Sequence, residues 1–253
     1  MPLKKLKYKK EILFMLEKTF EVRYDELDTR GHISPVSLLR YFQEAAALDA
    51  QSFDFGWENI QENRLGWVLT HMQIEFLQHD VKRQPVQIRT WHAFSDKILS
   101  RREFEFLTQD GAVLARGASW WLLMNIDKRR ITKCPPELLA LNPAEPNFLV
   151  QEENFKRTAP DGSPVLPPVT ITTRQEDLDL NGHVNNTHYA AWALESAPQG
   201  KQLKKLMINF KNECLAGETI LVQTTQENEN CLHHQLLKQA DQKEAAKAIT
   251  CWE

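Results

Sequence analysis

A shift of 151 positions lays one stretch of this chain on another. Arg23 falls on Arg174, Leu27 on Leu178, Asp28 on Asp179, Gly31 on Gly182, His32 on His183 and Glu44 on Glu195. Six identities in so short a window mark an internal duplication. A chain of 253 residues fits one large domain or two of ordinary size, and the duplication selects two similar units. In both copies the repeated segment runs straight into a helix-like stretch, Pro35 to Gln51 in the first and Thr187 to Ser196 in the second.

Beyond each helix the chain has the period of strands. Leu65 to Phe76 ends in the alternation Gln73-Ile74-Glu75-Phe76, and Val86 to Phe94 places Val86, Ile88, Thr90 and His92 on one face. Arg101 to Thr108 alternates around Phe104 and Phe106, Asp110-Gly111 is a hairpin signal, and Ala112 to Asn125 is apolar on both faces. The second copy repeats the scheme more briefly, with strands at Thr170 to Thr173, Leu206 to Lys211, Thr219 to Thr225, Cys231 to Gln239 and Ala245 to Cys251. Between Cys134 and Pro167 seven prolines break all periodicity, so that stretch reads as a linker with one short helix at Glu137 to Ala140. The expected layout is an α+β chain: a tail at 1–14, a first unit at 15–133, a linker at 134–168 and a second unit at 169–253.

The segment Asp177-Leu-Asp-Leu-Asn-Gly-His-Val-Asn-Asn186 carries the chemistry. Asp179, Asn181 and His183 stand at alternate positions just before a helix, whose N-terminal N–H groups and dipole favour negative charge. Glu213 and Cys214 come 30 and 31 positions after His183. The first copy keeps Asp28 and His32 but has Arg30 where the second has Asn181. Arginine accepts no hydrogen bond and stays charged, so the first copy is expected to keep the shape of the site without its chemistry. Each residue also has a plain reading. Asp179 can cap a turn, Asn185 or Asn186 can cap the helix, and Glu213 can be a strand-end surface charge.

Composition narrows the classes. A net charge of −3 argues against a nucleic-acid binder, and no apolar run is long enough to cross a membrane. The basic clusters Arg101-Arg102, Lys128-Arg129-Arg130 and Lys201 with Lys204-Lys205 read as solvated faces or as a docking patch for an acidic partner. Cys134, Cys214, Cys231 and Cys251 are scattered, without metal-site spacing, which suggests free thiols in a reducing compartment. No metal or cofactor is called for.

The run from Asp177 to Trp192, with Asn209-Phe-Lys-Asn-Glu-Cys214 after it and Trp67-Val-Leu-Thr-His-Met-Gln-Ile-Glu75 before it, closely resembles the acyl-acyl-carrier-protein thioesterases. The resemblance spans Thr19 to Trp252. It implies a tandem hot-dog fold, each unit a long helix wrapped by an antiparallel sheet, and hydrolysis of fatty acyl groups from an acyl carrier protein. Carried over residue by residue, it implies a site of Asp179, Asn181, His183 and Glu213, and it also marks Cys214. Nothing in the N-terminal residues resembles a transit or signal peptide, so a cytoplasmic, bacterial-like or already processed protein is expected; a homodimer is left open.

The expected mechanism has Glu213 as general base, because a carboxylate in a partly apolar groove is a stronger base than one in water. Asn181 would hold the water or the carbonyl oxygen, His183 would share the water or protonate the leaving thiolate, and Asp179 would orient both. N–H groups near Val184 to Asn186 would complete an oxyanion hole. Neighbours on a strand face opposite ways, which favours Glu213 over a papain-like Cys214–His183 pair. Leu38, Phe42, Ala45, Trp67, Leu69 and Met72 are the expected acyl-chain lining, with the small Ala45 and Ala46 leaving room. The rival readings are a coenzyme A thioesterase of the same fold, a non-catalytic module that senses acyl thioesters, and a dehydratase, which would want a different His/acid arrangement.

Overall fold

The computed structural model describes residues 15–78, 83–153 and 164–253; the tail expected at 1–14 lies outside them, as does part of the linker. The first half contains β1 (Met15–Phe20), α1 (Pro35–Ser52), α2 (Trp57–Glu62), β2 (Leu65–Phe76), β3 (Val86–Ser95), β4 (Leu99–Thr108), β5 (Val113–Asn125) and the short β6 (Arg130–Ile131). After α3 (Pro136–Leu139), the second half contains β7 (Val169–Thr172), α4 (Asn186–Leu194), β8 (Leu203–Phe210), β9 (Thr219–Asn228), β10 (Cys231–Lys238) and β11 (Glu244–Trp252).

All the strands form one antiparallel sheet in the order β1-β3-β4-β5-β2-β8-β11-β10-β9-β7, with β6 paired to β5. The halves join where β2 pairs with β8, His71 opposite Asn209 and Glu75 opposite Lys205. The sheet wraps both helices, the expected double hot-dog layout. Helix α1 packs on β1, β3, β4 and α4, while α4 packs on β10, β11 and α1. One continuous apolar core therefore includes Leu38, Phe42 and Ala45 of α1 with Tyr189, Trp192 and Ala193 of α4.

Local chemistry sets the helix starts. The Ser34 hydroxyl accepts from the Ser37 N–H at 3.1 Å and Pro35 occupies the first turn, so α1 begins with its orphan donors partly satisfied. Asn185 does the same for α4, its Oδ1 accepting from the Thr187 N–H at 2.9 Å and hydroxyl at 2.8 Å. Helix α1 then buries a residue every three or four positions, through Leu38, Leu39, Phe42, Ala45, Ala46 and Asp49.

The fold corrects three expectations. The proline-rich stretch is not a loose linker where it is described. The Leu149 and Val150 N–H groups donate to the buried Glu103 carboxylate, the Val150 carbonyl accepts from Arg101, and Asn142 accepts from the Ser95 N–H. Nor are Arg101 and Arg102 a solvated or docking face. They lie on an interior strand and pair with Glu103 and Asp49 in the core. Finally, the cysteines are not all free thiols. Cys231 and Cys251 stand directly opposite each other on β10 and β11 and are joined as a disulfide, while Cys134 and Cys214 are free and buried.

Candidate active site

Two turns repeat the duplication bond by bond. In the second copy Asp179 N–H donates to the His183 carbonyl at 2.8 Å, and Gly182 N–H to the Asp179 carbonyl at 3.0 Å. In the first copy Asp28 and Gly31 do the same with His32 and Asp28, at 2.7 and 2.9 Å. Gly31 and Gly182 have φ of +79° and +77°, a conformation that disfavours other residues, which explains why glycine stands at both positions. Asp179 Oδ1 accepts from the Asn181 N–H at 2.8 Å. Its role in the fold is thus to hold the turn, and its carboxylate binds the Asn181 backbone rather than the Asn181 and His183 side chains.

Glu213 comes from the loop after β8. Its Oε2 lies 3.3 Å from His183 Nε2, and its Oε1 accepts from Arg129 Nη2 at 2.7 Å. Arg129, on the turn between β5 and β6, is the first half's contribution to this cluster. The apolar groove expected around Glu213 is absent: its side chain is 40% exposed and ion-paired. Cys214, the next residue, turns inward and is fully buried. Burial pushes its thiol up, with the Tyr189 hydroxyl beside it. The expected oxyanion donors are partly taken, since Val184 N–H donates to the Cys214 carbonyl and Asn185 N–H to the Asp177 carbonyl.

A cavity of about 220 Å³ runs along α1 to this turn. Its walls are Gln43, Ala46, Ala47, Ala50, Phe53, Phe55, Trp57, Ile60, Trp67 and Trp121, with Ser100 and Arg102. Asp179, Asn181 and Asn186 reach it from the second half, whereas His183 and Glu213 sit beyond its lining. A narrower apolar space adjoins it, lined by Phe42, Gln43, Ala46, Leu69, Met72, Phe104 and Trp121. Phe42, Trp67, Leu69 and Met72 therefore line one or other of these two spaces. Leu38 and Ala45 do not. At about 100° per residue they point to one side of α1, while Gln43, Ala46 and Ala50 point roughly a third of a turn away. Leu38 lines a different cavity, and Ala45 is packed in the core. Ala46, expected to leave room for a chain, does line the cavity, and the small Ala47 and Ala50 beside it were the further signal for this face.

Burial governs the charges near this cavity. Asp49, on α1, and Arg102, on β4, are 3% and 8% exposed, with Arg102 Nη1 2.5 Å from Asp49 Oδ2 and 3.1 Å from Thr90 Oγ1. Desolvation pushes the Asp49 carboxyl up, and Arg102 opposes that. Lys205 pairs with Glu75 and Glu153, and Lys204 with Glu253, so those lysines are already partnered. Among the described residues, no group of three or more His, Cys, Asp or Glu side chains is placed to hold a metal ion, and no helix is long and apolar enough to cross a membrane.

Comparison with known proteins bears on the family and the fold. The family model for the acyl-ACP thioesterase N-terminal domain matches residues 14–142, and that for the C-terminal domain matches residues 168–253. The chain is 29% identical to the chloroplastic oleoyl-acyl carrier protein thioesterase 2 of Arabidopsis thaliana, over 86% of this chain and 64% of that protein. It is 29% identical to the chloroplastic palmitoyl-acyl carrier protein thioesterase of Gossypium hirsutum, over 94% of this chain and 63% of that one. It thus spans just under two thirds of the length of these two relatives. Among solved structures, an acyl-ACP thioesterase from Bacteroides thetaiotaomicron superposes with a TM-score of 0.84 at 21% identity, covering 95% of this chain and 98% of the other. The 12:0-ACP thioesterase of Umbellularia californica gives 0.82 at 22% identity, covering 95% and 97%. These two likenesses show the shared fold.

Proposed function

Because the chain belongs to the acyl-ACP thioesterase family, we propose that it hydrolyses the thioester of a fatty acyl group carried by acyl carrier protein and releases the free fatty acid. The observation that carries this reading is the cavity beside Asn181. It is apolar along α1 and ends at a polar turn, whose His183 meets Glu213 of the loop after β8. The acyl chain lies along α1, in the first half (15–133). The thioester sits at the turn of the second half (169–253). The remaining described part of 134–168 straps the two together.

In the reaction, water oxygen bonds to the carbonyl carbon, the C–S bond breaks, and the proton taken from water ends on the leaving sulfur. Glu213 takes that proton, in contact with His183, and His183 returns it to the thiolate. Arg129 holds the carboxylate in place. Asn181 and Asn186 present amides to the carbonyl oxygen from the cavity wall. Cys214 serves packing: a fully buried thiol whose deprotonation burial opposes is a poor nucleophile.

Purified protein assayed with the same acyl group on acyl carrier protein and on coenzyme A tests the carrier; equal efficiency on both would overturn the carrier-protein assignment. Glu213→Gln should lower kcat by about 10² to 10⁴. Asn181→Ala should cost about 3 kcal/mol of transition-state stabilisation. Cys214→Ala should keep most turnover, and the opposite ranking of Glu213 and Cys214 would refute the mechanism. Ala46→Phe and Met72→Trp should shorten the preferred acyl chain, whereas Leu38→Trp, facing the other cavity, should leave it unchanged. Analysis of the released fatty acids reads this directly.

A further inference from the structure

The molecule has a second cavity, of about 230 Å³, at the first copy's turn. It is the duplicate of the cavity beside Asn181. The 151-position shift pairs Asp28 with Asp179, Arg30 with Asn181, Pro35 with Asn186, Gln43 with Leu194, Ala46 with Ala197, Ala47 with Pro198 and Ala50 with Lys201. Every member of each pair lines its own cavity. Each turn thus faces the helix end of the opposite half, and the fold builds the pocket twice.

The two differ in charge. The cavity beside Asn181 carries one carboxylate, Asp179, and one guanidinium, Arg102, which is already paired with Asp49. The cavity beside Arg30 sets two cations, Arg30 and Lys201, against the single carboxylate Asp28, with His32 also on its wall. Asp28 Oδ2 accepts from Arg30 Nε at 3.2 Å and Nη2 at 3.1 Å, which leaves the other guanidinium nitrogen able to donate. Lys201 is exposed and has no ion pair among the described residues. Behind these groups the wall is apolar and buried, with Leu38, Phe106, Leu114, Leu203 and Trp252. A cationic mouth over an apolar interior matches an anionic head on a hydrocarbon tail.

We propose that the cavity beside Arg30 binds the anion of a long-chain carboxylic acid, its carboxylate between Arg30 and Lys201 and its tail among Leu38, Phe106, Leu114 and Trp252. Arg30 stands where the second copy has Asn181, and Lys201 where the first has Ala50. The copy without the hydrolytic amide thus has affinity for the charge that hydrolysis creates. That the natural occupant is this protein's own product rests on the proposed function; the binding itself does not.

Titration calorimetry with dodecanoate on the full chain tests the binding without reading turnover, so a failed hydrolysis assay and a failed binding assay stay distinct. Ala46→Trp obstructs the cavity beside Asn181, and Ala197→Trp obstructs its duplicate. In Ala46→Trp, where the cavity beside Asn181 is blocked, dodecanoate binding should persist, be lost when Ala197→Trp is added, and weaken at least tenfold when Lys201→Glu is added. The neutral dodecanol should bind wild type and Lys201→Glu alike. Ala197 and Lys201 are exposed, and matching melting curves will show that both variants fold. No dodecanoate binding by an Ala46→Trp protein that melts as wild type does, binding retained when Ala197→Trp is added to it, or equal affinity when Lys201→Glu is added to it would each overturn the proposal.

Discussion

Removing the Asp49 carboxylate tests how dry the region beside α1 is. The pair it forms with Arg102 is almost fully shielded from water, with a third partner in Thr90. Asp49→Ala leaves a guanidinium buried without its counter-ion. Breaking a buried pair from one side typically costs about 3 to 5 kcal/mol. At about 2 to 4 °C per kcal/mol for a chain of this size, the melting temperature should fall by roughly 10 °C. Replacing both partners, Asp49→Leu with Arg102→Met, removes the desolvation penalty together with the attraction. Such swaps are often neutral, or stabilising by about 1 to 4 kcal/mol. Urea denaturation at pH 7, monitored by tryptophan fluorescence, would give Asp49→Ala, and Asp49→Leu, Arg102→Met and their double variant would give the coupling energy of the pair. A loss below about 1 kcal/mol for Asp49→Ala would refute the reasoning, since it falls in the range of a solvated surface pair. The double variant also makes the Arg102 wall of the cavity apolar, and longer acyl chains should then be accepted.

The interior supplies two further tests. A Cβ on Gly117 would lie 2.7 Å from the Phe42 ring and 3.4 Å from the Gln73 carbonyl, so Gly117→Ala should destabilise by about 1 to 3 kcal/mol, measured by urea midpoint, and push that ring toward the apolar space it lines. His234 is buried between Thr224 and Thr250, and burial holds it down to about 3. The unfolded chain takes that proton near pH 6.5 and the folded one does not, so this histidine's stabilisation is present above 6.5 and lost as pH falls toward 3. Glu103, pushed up to about 7 by burial, contributes the opposite slope but is common to both proteins compared. Between about pH 6.5 and 4.5 the wild type should therefore lose roughly 2 to 3 kcal/mol more than His234→Gln; parallel pH dependences would contradict this.

Strand and helix positions are legible in the sequence because period-2 and period-3.6 patterns are local, and the duplication marks the two turns by residue identity alone. The features that escape the sequence depend on distance in space. Arg129 meets Glu213 across 84 positions, and nothing near either residue announces the other. Arg101 and Arg102 look like surface charges until the partners on α1 and β4 are in place. Alternation along the strands could set Cys231 opposite Cys251 given a β10–β11 hairpin, but register depends on the turn between them. Leu38 and Ala45 have the apolar character of chain-lining residues, and only the direction of each around α1 separates a cavity wall from the core. The shift by 151 reaches further than the two turns, since it also pairs the walls of the two cavities.

The seam between β2 and β8 has a consequence for synthesis. His71 must find Asn209, 138 positions downstream. While the ribosome is still making the second half, β2 presents a bare row of backbone donors and acceptors to its surroundings, and an open strand edge is a template for any extended chain nearby. The growing chain thus passes through an interval of stickiness whose length is set by translation speed through the proline-rich stretch and beyond. Slow codons there would lengthen the interval and lower the soluble yield without changing a single amino acid.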